Sequence, residues 1–389
     1  MTVDPLDTVS DTATEDPLLA HVTLAGFYPP PMGGESLHVK QLAELLRECG
    51  VEVDVVNLDR SARPSREYRS AGSRLGRMRM LLGAAGSSSV FHLHAIGHNR
   101  LSWGVIAAVA LSVWVRRRAA LLTIHSGVFP SYVATFGPVR SWLAGRVLRA
   151  FRRILCVNDD IAATVRALGI GPQKALVISP FLGVRKVPCL TIADEAIANR
   201  YHPLLVAVGG GDRDPGQGLP TIVQACRGLL RRFPGAGVVF LGAGLNRALA
   251  PLMWEEDVRD HVVCLGEVSH ERCLALLAAS DVLVRSTFAD GDSIAVREGL
   301  ALGVPVVASN TAYRPAGVRT FRKGDAGDLE ERLTATLLEG RSRRSAWYSS
   351  ESAEGAIWRV YGDVARERGR RVRLAAWLGM PRVVSRLAR

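Results

Sequence analysis

The sequence predicts an α/β protein made of two Rossmann-like domains, each with a parallel sheet, facing an interdomain cleft. Three observations carry this. Short apolar runs alternate with amphipathic stretches at helical spacing, which is the grammar of repeated strand–helix units. That rhythm breaks once, over residues 183–202, and then restarts. The chain has 389 residues, and at roughly 150 residues per domain that favours two domains.

The elements follow in order. Residues 1–19 read as a disordered tail. They open a stretch, residues 1–20, with five acids (Asp4, Asp7, Asp11, Glu15, Asp16) and no base. The N-terminal Rossmann-like domain spans 20–185. It begins with a strand over His21–Phe27 and the loop Pro29-Pro30-Pro31-Met32-Gly33-Gly34. Val39, Leu42, Leu46 and Cys49 then recur at helical spacing, and Gly50 ends the helix. Further strands are read at 51–58, 90–95, 120–125, 154–157 and 175–179. Residues 183–202 hold Pro188, mixed charges and no clear strand, so they form the linker. The C-terminal Rossmann-like domain spans 200–350. Its strands are read at 204–208, 237–241, 262–265, 282–286 and 304–308, with a helix at 219–232. Residues 368–389 form a basic tail.

Composition excludes several classes. At 48% apolar and 22% charged residues the chain can bury a core. Collagen, wholesale disorder and a disulfide miniprotein do not fit. Forty-nine Lys and Arg against 37 Asp and Glu give +12, and eight Arg fall within residues 366–389. Such a balance suits nucleic acid, an anionic membrane surface or a phosphorylated ligand. The six cysteines form no C-x-x-C and several lie in apolar runs, so they read as reduced packing residues of a cytoplasmic protein. The N-terminus has no basic and apolar leader, which predicts no signal peptide. The apolar run 104–115 is shorter than the ~20 residues of a membrane span and reads as a buried helix.

In open α/β sheets ligands sit outside the carboxyl ends of strands. The richest such stretch is STFADGDSIAVREGLALGVPVVAS, residues 286–309. It reads as strand, acidic Gly loop, helix, Gly turn, strand. The helix start after Asp290-Gly291-Asp292-Ser293 offers free backbone N–H groups to a phosphate. Glu298, on the helix behind it, could accept two hydrogen bonds from a ribose diol, and Asp290 could bind a sugar hydroxyl. The bland alternatives are that Asp290 or Asp292 is an N-cap and that Glu298 is a solvated residue beside Arg297.

This segment resembles the signature of glycosyltransferase family 4, the GT-B, capsular-polysaccharide type: an acid, seven residues, a Glu, then a Gly-Val-Pro-Val-Val-Ala-Ser strand. Other stretches are similar to that family in the same order: PPPMGGESLHV, FHLHAIGH, LLTIHSG, ILCVNDDIAATVRALGI and VVCLGEVSHERCLALLAASDVLVRSTF. The likeness runs over about residues 21–365, and implies that 20–185 bind the acceptor, that 200–350 bind the nucleotide sugar and that a helix over 352–367 crosses back to the first domain. It implies a retaining transfer from a nucleotide-diphosphate sugar to a polysaccharide or lipid-linked acceptor, with no metal or other cofactor. Glu298 would bind the donor ribose, and Asp290 the transferred sugar. Backbone amides near Gly291, Asp292, Ser293 and Ile294 would hold the diphosphate, approached closely by Gly33 and Gly34. His125 would point into the cleft. Nucleotide departure from the front face would leave the protein mainly positioning and electrostatic work.

The chain departs from the family pattern at three places. The first acid is Asp290 rather than the more usual Glu. The loop VGGGDRDPGQGL offers Arg213 as one cation and Gln217 where a Lys is expected. Ala316 replaces an acid after the Ala-Ser strand. A non-catalytic nucleotide-sugar-binding protein of the same fold therefore stays open as an alternative, as does a basic nucleic-acid-binding protein, although no recognition-fold pattern accompanies the charge.

No dinucleotide fingerprint, P-loop or nucleophile elbow is present. His92, His94 and His98 invite a metal reading, with strand packing as the alternative; no neighbouring carboxylate or Cys completes a ligand set. Arg140, Arg146, Arg149, Arg152 and Arg153 surround a helix containing Trp142. They are solvated helix faces or a peripheral contact with anionic lipid on the inner face of the membrane.

Overall fold

A computed structural model of the protein describes residue 19 and residues 21–87, 90–210, 216, 218–252, 256–340 and 351–377. The chain divides into two compact units. The first comprises Met1–Pro30, Glu35–Ser179 and Glu351–Arg389; the second comprises Pro31–Gly34 and Pro180–Ser350.

The first unit carries the strands β1 (His21–Gly26), β2 (Glu52–Asn57), β3 (Val90–Ala95), β4 (Ala120–Ile124), β5 (Arg153–Cys156) and β6 (Ala175–Val177). They form one parallel sheet in the order β2-β1-β3-β4-β5-β6. The strands are legible because they are mostly apolar and buried on both faces: every residue of β3 and β4 is buried, as a sheet covered on both sides requires. The helices between them are α1 (Gly34–Glu48), α2 (Arg74–Ser87), α3 (Arg100–Val115), α4 (Phe129–Ala134), α5 (Pro138–Leu148) and α6 (Asp159–Ala167). Asn99 and Asn158 cap α3 and α6 through their side chains.

The second unit carries α7 (Ile192–Arg200), β7 (Leu204–Val208), α8 (Leu219–Leu230), β8 (Gly237–Leu241), α9 (Leu245–Leu249), α10 (Glu256–Arg259), β9 (Val262–Gly266) and α11 (His270–Ala279). It continues with β10 (Val282–Arg285), α12 (Ile294–Ala301), β11 (Val306–Ser309), β12 (Val318–Phe321) and α13 (Ala326–Glu339). Its parallel sheet runs β12-β11-β10-β7-β8-β9. Alternation along the strands builds two separate cores. Leu205, Ala207, Val238, Phe240 and Val284 face one layer of helices. Leu204, Val206, Val239, Leu241 and Leu283 face the other.

The chain closes with α14 (Glu351–Trp377), which belongs to the first unit. Its stripe of Ala353, Ile357, Val360, Tyr361 and Val364 is buried at helical spacing. Tyr361 packs on β3, where its hydroxyl lies 2.7 Å from His92 Nδ1.

Several expectations need correction. The stretch read as a linker holds α7, capped by Thr191 and tied to α11 by the Asp194–Arg272 ion pair at 2.7 Å. The edge strand β12 escaped notice because only Phe321 of its four residues is buried. The apolar helix α3 is not buried all round: Leu111, Trp114 and Val115 are exposed. Helix α14 runs past the expected crossing helix to Trp377, into part of the expected basic tail. The rest of that tail, and all of the acidic tail except Leu19, lie outside the described residues.

Candidate functional site

In the second unit the strand order reverses between β7 and β10. A crevice for a ligand is expected outside the carboxyl ends of those two strands. Residues 286–298 leave β10 at that edge and enter α12. Ser293 is the N-cap of α12; its side chain accepts from Val296 N–H. This corrects the alternative that made Asp290 or Asp292 the cap. Ile294 is buried beneath the first turn.

Glu298 is not a solvated helix residue: it is 2% exposed. Its Oε1 lies 2.6 Å from Nε2 of His270, the first residue of α11. Asp292 is buried and both its carboxylate oxygens accept from Arg297 Nε at 2.7 Å, while Arg297 Nη2 donates to Tyr313 Oη at 2.8 Å. Arg297 is itself buried. This pair braces the loop against the helix it precedes.

Asp290 sits among more donors than the sequence suggested. Arg285 Nε donates to Oδ2 at 3.0 Å and Arg285 Nη2 to Oδ1 at 2.9 Å. Thr287 Oγ1 donates to Oδ2 at 2.6 Å, and Arg314 Nη1 to the same oxygen at 2.7 Å. Burial pushes the Asp290 carboxyl up, but the Arg285 charge and hydrogen bond, then Arg314 and Thr287, outweigh it and hold it well below the usual range. A sugar hydroxyl would compete with these donors for Asp290. Sequence reasoning passed over Arg285, Arg314, Tyr313 and His270. The available signal was a lone Arg closing the apolar strand β10.

Pro31–Gly34 groups with this unit, and Met32 N–H donates to Glu267 Oε1 at 2.8 Å, beyond the end of β9. Gly33 and Gly34 follow it, and a Cβ on Gly34 would meet nothing within 4 Å. Arg213 and Gln217 lie outside the described residues.

In the first unit His125 follows β4. Its Nε2 lies 3.1 Å from His94 Nδ1, and the two rings stack at 5.3 Å. His38 lies 5.3 Å from His94 and 5.4 Å from His125, ring to ring. Burial, then the charges of His38 and His92, push His125 well below the usual range, so it is a neutral imidazole. His92 spans Tyr361 Oη and Thr123 Oγ1, both at 2.7 Å, and His98 Nδ1 pairs with Ser126 Oγ at 2.6 Å. Among the described residues, no three His, Cys, Asp or Glu side chains are grouped to hold a metal.

Glu35, on the first turn of α1, is a further residue that sequence reasoning missed. Its Oε1 accepts from Phe27 N–H at 3.3 Å, and its Oε2 is buried without a hydrogen-bond partner. Burial raises its pKa to about 7, against a small lowering by the Phe27 N–H. The folded state thus holds a proton that the unfolded chain releases near pH 4.5. Stability from this residue is complete below that pH and falls as pH rises to about 7. Glu35→Gln is therefore expected to gain up to about 3 kcal/mol over the parent at pH 8 and little at pH 4.5. Urea unfolding at the two pH values checks this, and an equal difference at both would contradict it.

Comparison with known proteins agrees with this architecture. Residues 32–183 match the model of "Glycosyltransferase Family 4" and residues 201–337 that of "Glycosyl transferases group 1". The chain belongs to family 4 of the GT-B glycosyltransferases. A GDP-mannose-dependent alpha-(1-6)-phosphatidylinositol monomannoside mannosyltransferase of Mycobacterium tuberculosis is 33% identical over 118 residues, 28% of this chain. That match spans only 31% of the relative's own length. A phosphatidyl-myo-inositol mannosyltransferase of Mycolicibacterium smegmatis is 23% identical over 86% of this chain and 91% of its own. Among solved structures, Anabaena HepE in complex with UDP-glucose has a TM-score of 0.59 at 13% identity, covering 90% of this chain and 99% of HepE.

Proposed function

We propose that the protein is a retaining glycosyltransferase that moves a sugar from a nucleotide-diphosphate sugar to a polysaccharide or lipid-linked acceptor, without a metal. The observation that carries this is Glu298, buried on the helix that starts at the switch-point edge and held by His270. Glu298 presents its carboxylate to the donor ribose. The amides of residues 291–294 and the Gly33-Gly34 turn meet the diphosphate, and Arg213 and Gln217 add their side chains to it. The first unit takes the acceptor, and His125 offers it a neutral imidazole. The names of the relatives support both GDP and UDP donors, so the base is left to experiment.

The test is a thermal-shift panel of UDP-, GDP- and ADP-sugars. A ligand at 100 times its Kd stabilises the folded state by about 2.7 kcal/mol. In a unit of this size that is worth roughly 5–10 °C. One donor is expected to give such a shift, in the presence of EDTA as well as without it. No response to any of them would overturn the reading.

The same proposal places the protein in the cytoplasm, on the inner face of the membrane. Exposed Leu111, Trp114 and Val115 on α3 lie beside Arg116–Arg118, and exposed Val139 and Trp142 on α5 lie beside Arg140 and Arg146. Apolar side chains with flanking Arg suit an anionic bilayer surface. Among the described residues no helix is long and apolar enough to cross a membrane. Co-sedimentation with phosphatidylglycerol vesicles, reduced at least about tenfold by Trp114→Ala with Trp142→Ala, is the expected result. Equal binding by parent and double variant would remove this part.

A second reading, a binding protein without turnover, draws on one observation: both oxygens of Asp290 are already engaged. Turnover of the donor decides between the two.

A further inference from the structure

Arg285 closes β10, and Val208 closes β7. Arg285 Nη1 donates to the Val208 carbonyl at 2.6 Å. The guanidinium therefore spans the two strands between which the sheet reverses, where a ligand of this fold class is expected. Its other edge is fixed by the two hydrogen bonds to Asp290. Arg314 fixes Asp290 in turn, and is itself tied to the Ser309 carbonyl at 2.9 Å and to Thr287 Oγ1 at 3.2 Å. Two guanidiniums around one carboxylate give this trio a net charge of +1. The side chains of Arg285, Asp290 and Arg314 are only 14%, 11% and 6% exposed. The glycine-rich loop starts immediately after Val208. The next strand end crowds it so closely that a Cβ on Gly242 would lie 1.5 Å from the Gly209 carbonyl oxygen. Only a glycine fits there, which fixes the path of the loop as it leaves Val208.

We propose that Arg285, held by Asp290 and Arg314, is the cation that grips the donor diphosphate. This rests on the donor reading given above and adds to it. The positive charge expected on the loop, at the position of Gln217, is supplied from a strand end. A guanidinium is planar and permanently charged, and its fork matches two phosphate oxygens. Fixed before the ligand arrives, it stabilises the departing nucleoside diphosphate without reorganisation. Asp290 is then a positioning residue, which sets the plane of the Arg285 fork.

The experiment is calorimetric titration of UDP, GDP and ADP, and of the matching nucleosides, into the full chain and its Arg285→Gln and Arg285→Lys variants. For the diphosphate that the parent binds, Arg285→Gln is expected to lose about 10–100-fold in affinity. Arg285→Lys, which keeps a charge and loses the fork, is expected to lose at least about threefold. Both should bind the nucleoside within about twofold of the parent. Equal diphosphate affinity in the parent and either variant overturns the assignment, and so does a parallel loss of nucleoside affinity. A parent that binds none of the diphosphates overturns the donor reading itself. If Arg285→Gln does not fold, the Lys variant carries the test alone.

Discussion

Glu298→Ala is expected to lower kcat/KM for the nucleotide sugar by about 10²–10³-fold, with most of the loss in the donor KM. Two charge-assisted hydrogen bonds to a ribose diol, each worth about 1.5–3 kcal/mol, supply an effect of that size. The ribose is not the reacting centre, so its contacts hold the ground state and the transition state alike. Losing them raises KM more than it lowers kcat. His270 sharpens the effect: its 2.6 Å contact orients the carboxylate, and truncation leaves that imidazole without its acceptor. Glu298→Gln keeps the shape and one acceptor oxygen, and should fall between the parent and Ala. Turnover of a radiolabelled donor measures all three. Equal turnover in the parent and Glu298→Ala would remove the ribose role, and binding without turnover in every form would favour the non-catalytic reading.

The fold was legible because both sheets are covered on two faces. Leu204–Val208 is an unbroken apolar run and Val90–Ala95 one interrupted only by His92 and His94, and the observed bounds match the sequence reading. Elements with less to bury were missed for the same physical reason. Of the residues in α7 only Asp194 is buried, and it pairs with Arg272 on α11. No periodicity announces a contact 78 positions away. The stretch from Asp290 to Glu298 could be found, since spacing and Gly-rich turns are local properties. The partners that decide what each carboxylate can do could not. Arg314 reaches Asp290 from 24 positions along the chain and His270 reaches Glu298 from 28. Composition alone does not distinguish Arg285 or Arg314 from a solvated surface Arg. A strand ending in Arg was the one local hint, because a charge at a buried strand end must be paired.

Asp290→Ala is the substitution expected to cost the most stability, about 3–5 kcal/mol. The carboxylate lies between two guanidiniums that are themselves nearly buried. Removing it leaves both charges without their shared counter-ion in a place where water cannot replace it. The Thr287 hydroxyl loses its acceptor as well. In a unit of this size the melting temperature should fall by roughly 6–20 °C. Asp290→Asn retains one acceptor and the volume but not the charge, and should show a smaller fall. The pH dependence separates an ionic cause from a packing one. The folded-state pKa lies below the unfolded value of 3.8, so the stability this carboxylate contributes is present above about pH 4. It is lost as pH falls through the folded value. The gap between parent and Asp290→Ala should therefore be constant from pH 5 to 8 and narrow in stronger acid, where the parent also loses the charge. Calorimetric melts across that range measure it. A fall under about 2 °C at pH 7, or a gap unchanged by acid, would mean that Asp290 does not hold the two arginines in place.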